Sequence, residues 1–112
     1  MMSYQNAAFS IIEEFIESAT NKDFDQLLKE EIFIPARMNS ASSTKLGFNE
    51  TESKSMPHRW SSKNQNYYKS KHNNKYYNAV SAGGINASIS DMANWLQVVM
   101  GNKPEVITKN AL

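Results

Sequence analysis

The chain has 112 residues, 40% of them hydrophobic and 21% charged, with a formal net charge of +1. That balance fits one ordinary globular domain or a piece of one, and it excludes attraction to nucleic acid driven by overall charge. Cysteine is absent, which excludes a disulfide framework and a thiolate metal site, and no apolar run reaches the roughly 20 residues of a membrane span.

At the N-terminus Met1-Met2-Ser3 leads straight into Tyr4-Gln5-Asn6, and no signal peptide is read there. A first helix is expected over about 7–20. Ala8, Ile11, Ile12, Phe15, Ile16 and Ala19 form its apolar stripe, and Glu13, Glu14 and Glu17 lie off it, facing water. Asn21 follows, a residue that tolerates the left-handed turn ending a helix. A second helix is expected over about 23–33. Asp23 and Gln26 have the spacing of a capping box, and Phe24, Leu27 and Leu28 mark the buried side. Ile34-Pro35 predicts its end, because a residue before proline is pushed out of the helical region.

From about 39 to 81 the apolar period vanishes and Ser, Asn and Lys dominate, so a long irregular loop is expected. Aromatic islands interrupt it: Trp60 beside His58 and Arg59, Tyr67-Tyr68, and Tyr76-Tyr77. They either pin the loop to a helical core or form the rim of a substrate cleft, and pinning is the preferred reading. A last long helix is expected over about 89–100. Ser88 caps it, Asp91 favours its dipole, and Ile89, Met92, Ala93, Leu96, Val99 and Met100 form the buried side. Gly101 and Pro104 end it. Thr108 reads as the cap of a further helix that the sequence does not complete.

Three blocks in this order resemble the serine β-lactamase and penicillin-binding-protein superfamily, its class C β-lactamase-like hydrolases and esterases above all. Tyr4-Gln5-Asn6 running into a helix is similar to the family's Tyr-x-Asn. Ile32-Phe33-Ile34-Pro35-Ala36-Arg37-Met38 is similar to its segment ending Pro-Leu-Gly-Met. Ala82-Gly83-Gly84 leading to Ser88-Ile89-Ser90-Asp91 is similar to its Gly-Gly turn before a Ser/Thr-x-x-Asp helix. Asn21 and Arg37 depart from the family by standing where it uses glycine. The resemblance implies a mainly α fold class: part of the helical domain of the β-lactamase/transpeptidase-like fold over residues 1–112, without the α/β domain.

It also implies acyl transfer to a serine followed by hydrolysis, on a β-lactam, a D-Ala-D-Ala-type peptide or a small ester. Tyr4 is then the general acid/base phenol, and Asn6 hydrogen-bonds substrate and orients a lysine. A free tyrosine has a pKa of about 10, so neighbouring cations must lower it for work at neutral pH. Read without the other blocks, Tyr4 and Asn6 are a surface residue and a helix cap.

Ser42-Ser43-Thr44-Lys45 matches the nucleophile motif Ser-x-x-Lys. It is rejected, because it follows Tyr4 instead of preceding it and opens no apolar helix. No nucleophile is assigned in this chain, and no Lys-Thr-Gly-like strand follows. The isolated piece is therefore expected to be inactive. His58 and His72 have no partner at metal-ligand spacing and read as exposed loop residues, so no metal or cofactor is expected.

Lys63, Lys69, Lys71 and Lys75 interleave with tyrosines as in nucleic-acid patches. In a near-neutral chain a solvated loop is the better reading, and no nucleic-acid partner is expected. The expected partners are a small-molecule or peptide substrate of the full-length protein, in the periplasm or outside the cell by resemblance. The different-class alternative is a non-catalytic helical module that binds a partner or itself through exposed helix faces.

Overall fold

The computed structural model describes residues 5–111. Its architecture is mainly helical, with one two-stranded hairpin. Helix α1 spans Asn6–Thr20, and Asn21 ends it in the left-handed region at φ 54°, ψ 33°. The Asn21 N–H then closes the turn onto the Glu17 carbonyl at 2.8 Å.

The second helical stretch differs from expectation at both ends. Asp23 makes no side-chain cap. The Phe24 N–H donates instead to the Glu17 carboxylate of α1 at 2.8 Å, while Gln26 donates to Glu30 at 2.7 Å. The long reach of Glu17 across the turn supplies the acceptor that Asp23 does not. At the far end the helix does not stop at Pro35. Helix α2 (Phe24–Leu27) widens into a π-helical stretch (Leu28–Phe33) and continues as α3 (Ile34–Ala36). Ile34 is helical at φ −64°, ψ −53°, and its N–H reaches the Lys29 carbonyl five residues back. A proline ring clashes with the carbonyl four residues back only in a regular α-turn; the widened turn makes room for it. Arg37 then closes the stretch at φ 62°.

The expected irregular loop contains short elements. Thr44 caps α4 (Lys45–Glu50), its Oγ1 accepting from the Gly47 N–H at 3.1 Å. Strands β1 (His58–Ser61) and β2 (Asn66–Lys69) pair antiparallel, Trp60 opposite Tyr67. A 3-10 turn (Asn74–Tyr77) leads to α5 (Val80–Gly83). Helix α6 (Ile89–Val99) has the full capping box: Ser88 Oγ accepts from the Asp91 N–H at 3.1 Å, and Asp91 Oδ2 accepts from the Ser88 N–H at 2.9 Å.

The buried core is small: Phe33, Ala36, Met38 and Val98, with Leu28, Ile32, Trp95 and Ile107 packed around it. Both long helices turn their apolar side outward, against expectation. On α1, Phe9, Ile11, Ile12 and Phe15 are 50–71% exposed. On α6, Ile89, Met92, Leu96, Val99 and Met100 are exposed, whereas Val98 and Asp91 are buried. The inward side of α6 carries residues 91, 94, 95 and 98, the spacing of one helical face. Polar bonds hold it there. Asp91 Oδ1 accepts from the Ser40 N–H at 3.3 Å, and Asn94 Nδ2 donates to the Arg37 carbonyl at 2.9 Å. The α6 side facing the chain thus combines bonds to the Ser40 N–H and the Arg37 carbonyl with the core residue Val98, and leaves the apolar stripe outside.

Candidate active-site wall

Asn6 stands at the first position of α1. It is exposed, and its carbonyl accepts from Ser10 Oγ at 3.1 Å. The residue before the helix is Gln5, which makes no side-chain cap. Tyr4, the expected acid/base, lies outside the described residues.

One turn and two turns along α1 from Asn6, the chain is fastened to α5. The Ser81 N–H and Oγ donate to Glu13 Oε1 at 2.7 and 2.6 Å, and Ser81 Oγ also approaches the Phe9 carbonyl at 3.2 Å. Glu13 therefore turns toward the protein, whereas Glu17 stays exposed while accepting from the Phe24 N–H. A carboxylate that accepts from a backbone N–H and a hydroxyl replaces its lost hydration with charge-assisted bonds. The Gly-Gly block is thereby held against the helix that opens at Asn6.

Gly84 is where that block needs glycine. A Cβ there lies 2.8 Å from Val80 Cα and 2.9 Å from the Tyr76 carbonyl oxygen, both backbone atoms. Beyond it, Asn86 pairs with Ser42 through reciprocal backbone bonds of 2.9 and 2.8 Å, and its side chain reaches Tyr77 Oη at 3.1 Å. The Gly-Gly turn, the Ser42 segment and the 3-10 turn are thus joined at one point.

The Ser42–Lys45 segment has none of the geometry of a nucleophile helix. Ser42 is in an isolated bridge, and the helix begins only at Lys45. Ser43 is 2% exposed and bonds the Asp25 carboxylate, while Lys45 Nζ is directed to the Asn74 side chain. The lysine ammonium and the serine hydroxyls have separate partners. A cleft of about 450 Å³ lies beside this segment, with Glu13, Phe24, Asp25, Ser43, Lys45 and Val80 in its wall. Among the described residues no group of His, Cys, Asp or Glu is arranged to hold a metal ion.

Part of the aromatic islands pins the loop and part does not. His72 corrects the expectation of an exposed loop histidine. It is half-buried, stacked on Phe48 at 4.0 Å and on Tyr76 at 5.1 Å, with Tyr77 edge-on at 5.6 Å. Its Nδ1 is buried without a hydrogen-bond partner. This stack pins the second half of the loop to α4. Trp60, Tyr67 and Tyr68 do the opposite and stand exposed on the hairpin, as does His58. Trp95 is half-buried against the core and helps line an apolar cavity of about 620 Å³ with Leu28, Ile32, Met38 and Met92. Nothing in the composition of the loop distinguishes the pinned tyrosines from the free ones; the contact with His72 does.

The fold that results is the mainly helical part of the β-lactamase and penicillin-binding-protein fold. It superimposes on a penicillin-binding protein homologue from Pyrococcus abyssi, described as octameric, with a TM-score of 0.84 at 16% identity. The match covers 99% of this chain and 24% of that one, so the chain spans about a quarter of that protein's length. The family model for β-lactamase matches residues 1–112, and the chain belongs to that family. No curated protein matches it.

Proposed function

We propose that this chain is the Tyr-x-Asn-bearing piece of a β-lactamase-like serine hydrolase. The reaction is acyl transfer to a serine outside this chain, then hydrolysis, on a β-lactam, a D-Ala-D-Ala-type peptide or a small ester. The observation that carries the reading is the outward-facing apolar side of α1 and α6 in a chain that spans 24% of its structural match. Exposed apolar helix faces of this kind mark interaction surfaces. In this reading the remainder of the hydrolase covers it and brings the nucleophile and its lysine up to the start of α1.

Tyr4 then handles the proton of the attacking serine, and Asn6 holds substrate and lysine in place. The fastening of Ser81 to Glu13 supports that assignment, because it fixes the helix whose first residue is Asn6. The full-length protein works in the periplasm or outside the cell. The piece alone has no nucleophile and is inactive.

The same uncovered faces favour a second reading, a non-catalytic helical module that binds a partner or itself. Labelling with a fluorescent penicillin, read by intact mass and site mapping, separates the two. The 112-residue chain should take no label. A polypeptide extended at both ends should label on a serine outside residues 1–112 if the hydrolase reading holds, and should stay unlabelled if the module reading holds. A covalent adduct at Ser42 of the short chain overturns both.

A further inference from the structure

The net charge of +1 hides a strong asymmetry. Residues 53–90 contain Lys54, Arg59, Lys63, Lys69, Lys71 and Lys75 and not one Asp or Glu. The hairpin β1–β2 lies at the middle of this stretch, and seven of its eight strand residues are exposed. Trp60, Tyr67 and Tyr68 are 52%, 66% and 51% exposed there. Side chains alternate across a ribbon, so the register puts His58, Trp60, Tyr67 and Lys69 on one face and Arg59 and Tyr68 on the other. Each face therefore carries an aromatic ring and a cation.

We infer that this hairpin is a docking element for an anionic lipid surface. Indole and phenol rings have an apolar body and a polar tip, and they settle in the headgroup layer of a bilayer. Lysine and arginine beside them keep their charge at the phosphates while their stems pack on apolar surface. The geometry fits that layer. Successive rungs are about 3.3 Å apart, so on one face of the ribbon the Trp60–Tyr67 rung and the His58–Lys69 rung lie about 7 Å apart, close enough for both rings and the Lys69 ammonium to enter one headgroup layer. The turn between the strands is polar and holds Lys63, so the ribbon lies along the surface and does not plunge tip first. Lys54 is engaged elsewhere, with its ammonium on the carbonyls of Phe48 and Asn49.

A single-stranded nucleic acid is the competing occupant and fits less well. It needs ring faces presented in a row over a basic track. Here Trp60 and Tyr67 meet edge to face, centroids 5.0 Å apart and planes 65° apart, and Tyr68 is on the opposite side of the ribbon.

The test is co-sedimentation of the full 112-residue chain with vesicles of phosphatidylcholine, with and without 30 mol% (about one lipid in three) phosphatidylglycerol. Binding is expected only with the anionic lipid and is expected to be lost in high salt. The quadruple variant R59Q, K63Q, K69Q, K71Q should bind roughly several hundredfold more weakly, since each cation near such a surface is worth about fivefold. The variant W60S should bind more weakly too, with an unchanged far-UV circular dichroism spectrum in both variants. Three outcomes overturn the inference: no binding to anionic vesicles at low salt, binding that the quadruple variant retains (the mark of adsorption through the apolar faces of α1 and α6), or tight binding to a single-stranded oligonucleotide with none to vesicles.

Discussion

Ser81 donates both its N–H and its Oγ to one oxygen of Glu13, at 2.7 and 2.6 Å, across 68 residues of sequence. This pair ties the Gly-Gly block to the helix that begins at Asn6. Replacing Glu13 by alanine leaves a partly buried N–H and hydroxyl without an acceptor. The expected loss is about 2 kcal/mol, the range for hydrogen bonds to a charged group. Glu14→Ala, on an exposed neighbour, should stay within about 0.5 kcal/mol of the parent. Urea unfolding of both variants checks this, and equal losses would show that Ser81 does not hold α1.

The two adjacent glycines separate cleanly. A methyl group at Gly84 runs into the backbone of Val80 and Tyr76, whereas one at Gly83 meets nothing within 4 Å. Gly84→Ala should destabilise by about 1–3 kcal/mol through overpacking. Gly83→Ala should be neutral or stabilise by up to about 1 kcal/mol, by limiting the freedom of the unfolded chain. Thermal unfolding of the pair gives the answer.

Arg37 adopts φ 62° at the end of α3, a conformation that costs a residue with a Cβ about 1–2 kcal/mol. Arg37→Gly is expected to raise stability by about 1 kcal/mol, less the extra freedom glycine adds to the unfolded state. A lower midpoint in denaturant would mean that the arginine side chain makes contacts worth more than the strain.

On α6 the buried residue is Val98, and the apolar neighbour Leu96 is 52% exposed. Val98→Ala should cost about 2 kcal/mol and Leu96→Ala less than about 0.5 kcal/mol in this chain, even though leucine is the larger residue. In a polypeptide that completes the hydrolase the cost at Leu96 should rise, because the same side chain then becomes part of an interface. Chemical denaturation of both lengths tests this directly.

The surface pair Lys22–Glu30, 2.7 Å apart, predicts a shallow pH dependence. Its hydrogen bond to Lys22, helped by Gln26, holds the Glu30 carboxyl below the usual range, while the same bond to Glu30 raises the Lys22 ammonium. The glutamate contribution is present above its ordinary pKa and fades as pH falls through the lowered value. The lysine contribution is present below its ordinary pKa and fades as pH rises through the raised one. Both groups are exposed, so the effect is small and screened by salt. Glu30→Gln should flatten the acid side of the stability profile at low ionic strength, and an unchanged slope would count against the pair.

Local chemistry was legible at some helix ends and not at others: Ser88 caps its helix, whereas the expected Asp23–Gln26 capping box does not form. The Ser88 cap and the left-handed turn at Asn21 follow from residue types alone, because the backbone groups they serve are fixed by the helix itself. The amphipathic character of α1 and α6 was equally plain from the spacing of Ile12, Phe15, Met92 and Leu96. Which way those helices turn was not. Spacing identifies an apolar face but not the surface it meets, and here α1 and α6 are oriented by distant polar partners: Ser81 for Glu13, Ser40 for Asp91, the Arg37 carbonyl for Asn94. The cap on Phe24 came from Glu17 on another helix, and the π-helical stretch kept Pro35 inside its helix; neither is written in a short window. The sequence by itself determined the family and the sites of its two longest helices, because motifs and periodicity are local. Only the tertiary structure decided that His72 pins the loop while Trp60 and Tyr67 stand free, and that the apolar faces look outward, because both depend on what each side chain finds across the fold.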